Sequence, residues 1–207
     1  MIGEPFNTAE FGEVPSDDIP LRLRYRVAAS ETEEGKKHEQ SYYEALGRFV
    51  QMFAEVEKVV TETLWAYSKT QTAVSKIIFA QTSIDQAAKF IKGLAAATGA
   101  DEEKRIDLDD ILRQFNVIKK ARNGILHYGA SLIAEGRATV SNAWKAKAEP
   151  TEFPVSPRSL SEMRDDLRKI IAHLGYRHLG RPRPRGTVGI NTLEEILQRS
   201  WRYNHPS

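Results

Sequence analysis

The chain has 207 residues, which favours one domain with terminal tails over two full domains. Hydrophobic residues make up 41%, as in an ordinary globular protein, and no apolar run approaches the ~18 residues needed to cross a bilayer. The absence of cysteine excludes disulfides, thiolate metal sites and cysteine nucleophiles, and the acidic N-terminus lacks the order of a secretory signal, so we expect a cytoplasmic protein without membrane contact.

The net charge of +2 hides an uneven distribution. Residues 1–40 hold nine acids and five bases, whereas residues 177–207 hold six arginines and two glutamates. Such a basic end is compatible with contact to a partner or a nucleic acid. Two interpretations of Arg181, Arg183 and Arg185 stay open, a solvated linker or a tail that contacts RNA.

The N-terminal arm, residues 1–39, shows little periodicity. Within it, Leu21 to Ala29 is either a short strand with one wet face or part of a disordered arm. From Ser41 to Lys69, apolar residues recur every three or four positions and predict a long amphipathic helix. The same pattern predicts a second helix from Thr72 to Thr98, ended by Gly99.

A third helix follows "ATGADEEKR" and has Gly129 as its natural end. Residues 131–155 lose the helical period and predict a small β-hairpin around Gly136. A fourth helix is expected to start at Ser159, with Glu162 completing a capping box. The core domain is thus placed at residues 40–178, and residues 179–207 are expected to form an arginine- and proline-rich linker with a short docking helix between Ile190 and Tyr203. Four helices around one core predict an all-α bundle.

Arg122 stands out in the third helix, in the stretch "KKARNGILHYGAS". It occupies a position of the apolar stripe, where a guanidinium is costly unless it is paired or faces a partner. Asn123 and His127 belong to an adjacent polar stripe. Arg122 and His127 are five residues apart, about 140° around an ideal helix, so one copy does not naturally aim both at one atom. The spacing therefore suggests a site shared by two copies without requiring one.

These three residue types suit phosphodiester chemistry. An imidazole such as that of His127 can give or take a proton near neutral pH. The planar guanidinium of Arg122 can grip phosphate oxygens and stabilise the charge that builds on phosphorus. Asn123 can orient either the imidazole or the phosphate. Because RNA carries its own nucleophile in the 2′-hydroxyl, neither a metal nor a cofactor is needed, and no group of side chains has convincing metal-ligand spacing.

Arginine followed after four to six residues by histidine occurs three times, at Arg122, at Arg168 with His173, and at Arg199 with His205. Only the first has an asparagine directly after the arginine and a helix-ending glycine close behind. The structural alternative is that Arg122 pairs with acidic neighbours and His127 caps carbonyls at the helix end. For His173 a partly buried surface position is the simpler interpretation.

The stretch "ARNGILHYG" resembles the signature of HEPN domains, in which an arginine and a polar residue precede a histidine after a short spacer. The resemblance covers residues 40–178, although only the motif is specific. It implies an antiparallel four-helix bundle, here with a small β-hairpin insertion and flexible N- and C-terminal arms. It also implies a homodimeric, metal-independent endoribonuclease of toxin or phage-defence type, with RNA as substrate, an antitoxin as possible partner, and Arg122, Asn123 and His127 as catalytic residues.

The resemblance has two further aspects. Members silenced by adenylylation carry a tyrosine two residues after the histidine, but Gly129 occupies that position and Tyr128 comes one residue early, which argues against such silencing. Other members serve as non-catalytic modules that dimerise or bind a partner protein or nucleotide.

Among the remaining residues, the acidic run Asp107 to Asp110 is interpreted as helix N-terminal charge, and Trp65 and Trp144 as packing residues.

Overall fold

The structure is a computed structural model that describes residues 32–132, 138–143, 152–182 and 192–204. Several sequence-based predictions therefore lie outside the described residues, namely those for Leu21 to Ala29, Gly136, Trp144, the pair Arg183 and Arg185, and His205. Within the described residues, none of the helices combines the length and the apolar character that crossing a membrane requires.

Helices dominate the described chain, as the apolar periodicity predicts. They are α1 (Glu33–Ser68), α2 (Thr72–Ile78), α3 (Ile84–Ala97), α4 (Glu102–Tyr128), α5 (Pro157–His173), a π-helical turn (Leu174–His178) and α6 (Leu193–Gln198). The expectation of a largely helical protein is confirmed.

The core lies between the four longest helices. Helix α1 packs most extensively against α5 and α3, and α4 packs against both of these helices. The rings of Phe53 on α1 and Phe115 on α4 stack with centroids 5.3 Å apart. Large side chains that are fully buried come from all four helices: Tyr42, Phe49, Phe53, Leu64, Ile91, Leu108, Ile111, Ile118, Leu160, Met163, Leu167 and Ile170.

The prediction of one helix from Thr72 to Thr98 is wrong, because the chain breaks between Ile78 and Ile84. Ser83 caps α3 reciprocally with Gln86: the Gln86 N–H donates to Ser83 Oγ at 3.3 Å, and the Ser83 N–H donates to Gln86 Oε1 at 3.0 Å. A serine that satisfies the first free amides starts a new helix at that point. Helix α2 buries only the serine Ser75 among its side chains.

Two predicted helix starts also shift. Helix α1 begins at Glu33, earlier than the predicted Ser41, because the Thr32 hydroxyl caps it by accepting from the Gly35 N–H at 2.9 Å. Helix α5 begins at Pro157 with Ser156 as its cap, and the second member of the capping box is Ser159. Glu162 instead accepts from Arg158 Nε at 2.9 Å, so the predicted box of Ser159 with Glu162 is wrong.

The predicted hairpin is present and gains a third strand. Strand β1 (Ala130–Leu132) pairs antiparallel with β2 (Ala138–Ser141), and β2 pairs antiparallel with β3 (Glu152–Val155). Ala138, Val140, Phe153 and Val155 are buried and join the helical core. The alternation in β3, with Phe153 and Val155 turned inward, is that of a strand with one buried face.

The described C-terminal segment, residues 192–204, is not a flexible arm, since it packs on α5 and α4. The buried carboxylate of Asp166 accepts from the backbone N–H groups of Arg202 at 3.0 Å and Tyr203 at 2.9 Å. Gln114 Nε2 donates both to Asp166 at 2.9 Å and to the Tyr203 carbonyl at 2.8 Å. Burial raises the pKa of Asp166 despite these donors. The buried acid Asp166 thus ties Arg202 and Tyr203 to the core.

We expect Asp166→Ala to lower the free energy of unfolding by about 1–3 kcal/mol, because three N–H donors, two of them buried, lose this acceptor. Urea unfolding followed by circular dichroism measures the change. The control is Asp109→Ala, which removes an exposed ion pair with Lys92 and is expected to cost no more than about 1 kcal/mol. Equal midpoints for the two variants would contradict the role of Asp166.

Candidate functional site

The last turns of α4 carry the three residues predicted from the sequence. The helix ends at Tyr128, as predicted, and Gly129 follows with a positive φ of 71°. The Gly129 N–H donates to the Ile125 carbonyl at 3.1 Å, which closes the final turn. A left-handed φ of this kind is readily adopted by glycine, so Gly129 fixes where the helix stops.

Arg122 is half-buried between α4 and α1. Its guanidinium carbon lies 5.2 Å from the centroid of the Phe53 ring, within the range of a cation–π contact. Its Nη1 donates to the Asn123 Oδ1 at 3.1 Å, and its buried Nε has no hydrogen-bond partner within the described part of the chain. Among the described residues, no carboxylate forms an ion pair with Arg122. The expected acidic neighbour is therefore missing from this part of the chain, and the cation retains donors for another anion.

His127 lies in the solvent-exposed part of the final turn. Neither ring nitrogen is hydrogen-bonded to another described residue, so the capping of carbonyls that the structural alternative requires does not form here. Its neighbours Leu126 and Tyr128 are also exposed, at 45% and 37%. The end of α4 thus presents an imidazole between two exposed apolar side chains.

Gly124, inside the motif, is buried against the sheet. A Cβ at this position would lie 2.9 Å from two ring carbons of Phe153 and 3.5 Å from a methyl group of Val140. The glycine allows β2 and β3 to approach the helix closely. The sheet and the motif therefore form one packed unit.

The structure brings Arg122 and Asn123 together but keeps His127 apart from them. The helix is continuous from Glu102 to Tyr128, so the five-residue spacing places Arg122 and His127 about 140° apart around its axis. Asn123 contacts the guanidinium and not the imidazole. Within one copy, the two side chains therefore leave the helix in different directions.

A second polar cluster, which the sequence analysis did not identify, lies at the opposite end of α4. Asp107 contacts two histidines: its Oδ1 is 2.8 Å from His173 Nδ1, and its Oδ2 is 2.8 Å from His178 Nε2. His178 Nδ1 in turn lies 3.0 Å from the Tyr67 hydroxyl. Asp107, whose side chain is 12% exposed, is therefore a hydrogen-bonding hub, and its interpretation as simple helix N-terminal charge is wrong.

The π-helical turn explains how His173 and His178 reach one carboxylate. The Leu179 N–H donates to the Leu174 carbonyl at 2.9 Å, a bond that spans five residues. This wider turn aligns side chains five residues apart, whereas a regular α-helix separates them. The spacing between Arg122 and His127 is the same, but there the helix is regular and the side chains diverge.

The environment sets the charge of Asp107. Burial opposes its ionisation, but the hydrogen bonds and charges of His173 and His178 outweigh burial and lower its pKa well below the ordinary value. Burial, together with the negative charges of Asp101 and Asp107, raises the pKa of Tyr67. The carboxylate therefore stays ionised, and the phenol keeps a proton that it can donate to His178 Nδ1.

The sequence does contain a signal for this cluster. Asp107, Ile111 and Ile118 follow helical spacing on α4, and Asp166, Lys169 and His173 do so on α5; all but Asp107 are buried. Polar residues at apolar-stripe positions, the feature that singled out Arg122, also mark these side chains.

Comparisons of the chain with models of known protein families, with curated proteins and with solved structures found no match. Among the described residues, no group of three His, Asp or Glu side chains is arranged to hold a metal ion. The site is therefore interpreted from its own residues and their geometry.

Proposed function

We propose that this chain is a metal-independent endoribonuclease of HEPN type, acting in a toxin or defence system. It cleaves RNA through attack of the 2′-hydroxyl, at a cleft that two copies form with the ends of their α4 helices. Arg122 stabilises the charge on phosphorus, His127 transfers the proton, and Asn123 orients the guanidinium.

The observation that carries the proposal is the state of Arg122. Its guanidinium is half-buried against Phe53, its Nε has no partner, and no described carboxylate neutralises it. A partly desolvated cation without a counter-ion is unfavourable, and a phosphate supplies both the charge and the bidentate acceptor geometry that arginine fits. The contact with Asn123 supports the same role, because it limits the orientation of the fork.

His127 supports the proposal because its ring nitrogens form no hydrogen bond with any described residue. An exposed imidazole that no described residue engages can exchange protons with a bound substrate. In the proposed step, the 2′-oxygen bonds to phosphorus as it loses its proton, and the bond from phosphorus to the 5′-oxygen breaks. His127 removes the first proton or supplies the one that the leaving oxygen takes. The products carry a 2′,3′-cyclic phosphate and a 5′-hydroxyl.

The divergence of the two side chains on α4 supports a site shared by two copies. A two-fold axis beside the helix end would place the Arg122 of one copy near the His127 of the other, since such interfaces join the same surface of both subunits. The exposed side chains of Leu126 and Tyr128 give this surface an apolar component.

The test is incubation of the purified protein with a pool of random-sequence single-stranded RNA in the presence of EDTA. We expect cleavage, with products that end in a 2′,3′-cyclic phosphate, and no cleavage of the same pool made with 2′-O-methyl nucleotides. The methylated pool is the matched control, because it retains the phosphates and lacks only the nucleophile. An intact RNA pool, or equal cleavage of both pools, would exclude the proposed reaction.

A second candidate function is a non-catalytic HEPN-like dimer that binds a partner protein or nucleotide through the same surface. The half-buried guanidinium of Arg122, which no described carboxylate neutralises, favours it, because an anionic group of a bound nucleotide or protein supplies the missing counter-charge. This alternative requires dimers or complexes that weaken on Arg122→Ala, without turnover of RNA.

A further inference from the structure

The hydrogen bonds of His173 set it apart from its neighbour His178. Its Nδ1 lies 2.8 Å from the Asp107 carboxylate, and its Nε2 lies 3.2 Å from the Leu197 carbonyl at the end of α6. A carboxylate and a carbonyl oxygen only accept, so both ring nitrogens must carry protons if both hydrogen bonds are to form. That state is the positively charged imidazolium.

His178 provides an internal comparison. Its Nε2 faces the same carboxylate, but its Nδ1 faces the Tyr67 hydroxyl, which can donate as well as accept. A neutral ring therefore satisfies both contacts of His178. Only His173 needs a second proton, and only His173 touches the C-terminal segment.

The surroundings of His173 show how its charge is balanced. From α4, Asp107 supplies the negative charge, and Asp110 lies beside the cluster through its contact with the Trp201 Nε1 at 2.8 Å. From α5 comes Lys169, and from the π-helical turn come Arg177 and His178, of which Arg177 also contacts Asp107 at 3.4 Å. The C-terminal segment contributes the Leu197 carbonyl and the Trp201 ring, whose centroid is 6.5 Å from that of His173. Tyr67 on α1 acts through His178.

We propose that His173 is a proton-dependent latch that holds the C-terminal segment, residues 192–204, against the helical core. The proton on Nε2 joins α5 to the Leu197 carbonyl, while Asp107 stabilises the resulting charge from the other side of the ring. When the ring loses a proton, one of its nitrogens can no longer donate, and it then faces an oxygen of Asp107 or Leu197 that can only accept. Because the carboxylate is the stronger partner, the Leu197 contact is the one that is lost, and the segment loosens at α6.

The latch acts together with contacts that do not depend on this proton. Asp166 still holds the backbone at Arg202 and Tyr203, and Lys169 still contacts the Arg199 carbonyl and the Trp201 ring. Loss of the proton is therefore expected to release the part of the segment around Leu193 to Leu197 more than the part that follows it. A release that affects Leu193 to Leu197 more than the residues after them is therefore the expected sign of proton loss at His173.

The test uses the full-length chain labelled with ¹⁵N. Imidazole nitrogen shifts give the protonation state of His173 at about pH 7, and amide hydrogen exchange gives the protection of residues 192–198 as the pH is raised. We expect protection of these amides, corrected for intrinsic exchange, to fall by about tenfold or more as the His173 ring loses one proton, the effect of losing one charge-assisted hydrogen bond.

His173→Gln and His178→Gln are the paired variants. In His173→Gln, protection of residues 192–198 should match that of the deprotonated wild type at every pH, while His178→Gln should keep the pH dependence. A His173 ring that never carries both protons while the chain is folded would overturn the proposal in the wild type alone, whether or not the variants fold. Unchanged protection when the proton leaves would overturn it too, as would unfolding of the whole chain before any proton is lost.

Discussion

His127→Ala is expected to lower the rate of RNA cleavage by about 10²–10⁴-fold, the usual contribution of a positioned proton donor or acceptor. The folded protein should be almost unaffected, because His127 is exposed and has no hydrogen bond to a described residue. Surface substitutions of this kind usually change stability by less than about 0.5 kcal/mol. Single-turnover cleavage and thermal unfolding of the same preparation separate the two effects.

Arg122→Ala should reduce cleavage as well, and Arg122→Lys should restore little of it, because an ammonium cannot reproduce the bidentate fork. Two controls match the variants: His38→Ala removes a histidine of α1, and Arg113→Ala removes an exposed arginine of α4. Both should cleave at the wild-type rate. Full activity of His127→Ala would refute its assignment, and equal losses in the controls would indicate a general effect on the protein.

Co-expression of Arg122→Ala with His127→Ala tests whether two copies share the cleft. A mixed dimer retains one intact arginine and one intact histidine at the shared surface, so part of the activity should return. If each copy held a complete site, the mixture would stay as inactive as the two separate variants. Recovery of activity therefore distinguishes a composite site from two independent ones.

Asp107→Ala is expected to lower the free energy of unfolding by about 3–5 kcal/mol, the cost of removing one partner from a buried charged network. His178, whose side chain is 0% exposed, and His173 both lose their acceptor. Asp107→Asn retains the shape without the charge and should be less severe. Chemical denaturation near neutral pH measures both variants, and a change as small as that for the exposed Asp109→Ala would refute the role of Asp107.

The same acid gives this stability a defined pH dependence. Because its pKa is lower in the folded than in the unfolded chain, Asp107 stabilises the fold fully above its unfolded value of about 3.9. The contribution is lost as the pH falls below that value towards the folded-state pKa. The stability difference between wild type and Asp107→Asn should therefore shrink in acid, and a constant difference would contradict the mechanism.

Local chemistry explains why some features could be predicted from the sequence. Gly129 ends α4 where expected, and the apolar stripe of α4 correctly places Arg122 at a partly buried position. The break before Ile84 was missed because apolar residues continue on both sides of it, while the decisive contact is the cap between Ser83 and Gln86. Periodicity reports burial, whereas helix ends depend on a few hydrogen bonds.

Contacts between distant parts of the chain were beyond prediction for a different reason. Asp107 and His173 are joined only by tertiary packing, and a π-helical turn, which no spacing rule anticipates, places His178 beside them. The C-terminal docking at Asp166 has the same character, because it uses backbone donors that carry no sequence signature. A polar residue on an apolar stripe shows that a partner is needed, but not which one.

Because Gly124 packs closely against Phe153, the short motif contributes to the packing of the sheet as well as carrying the candidate catalytic residues. The candidate catalytic groups Arg122, Asn123 and His127 flank a spacer in which Gly124 and Ile125 are buried and Gly124 lies against the sheet. Damage to the spacer would therefore appear as less folded protein, whereas damage to its two ends would appear as a folded protein without turnover. The six residues from Arg122 to His127 therefore combine candidate catalytic groups with a contact that holds the sheet, and the yield of soluble chain helps to distinguish the two kinds of failure.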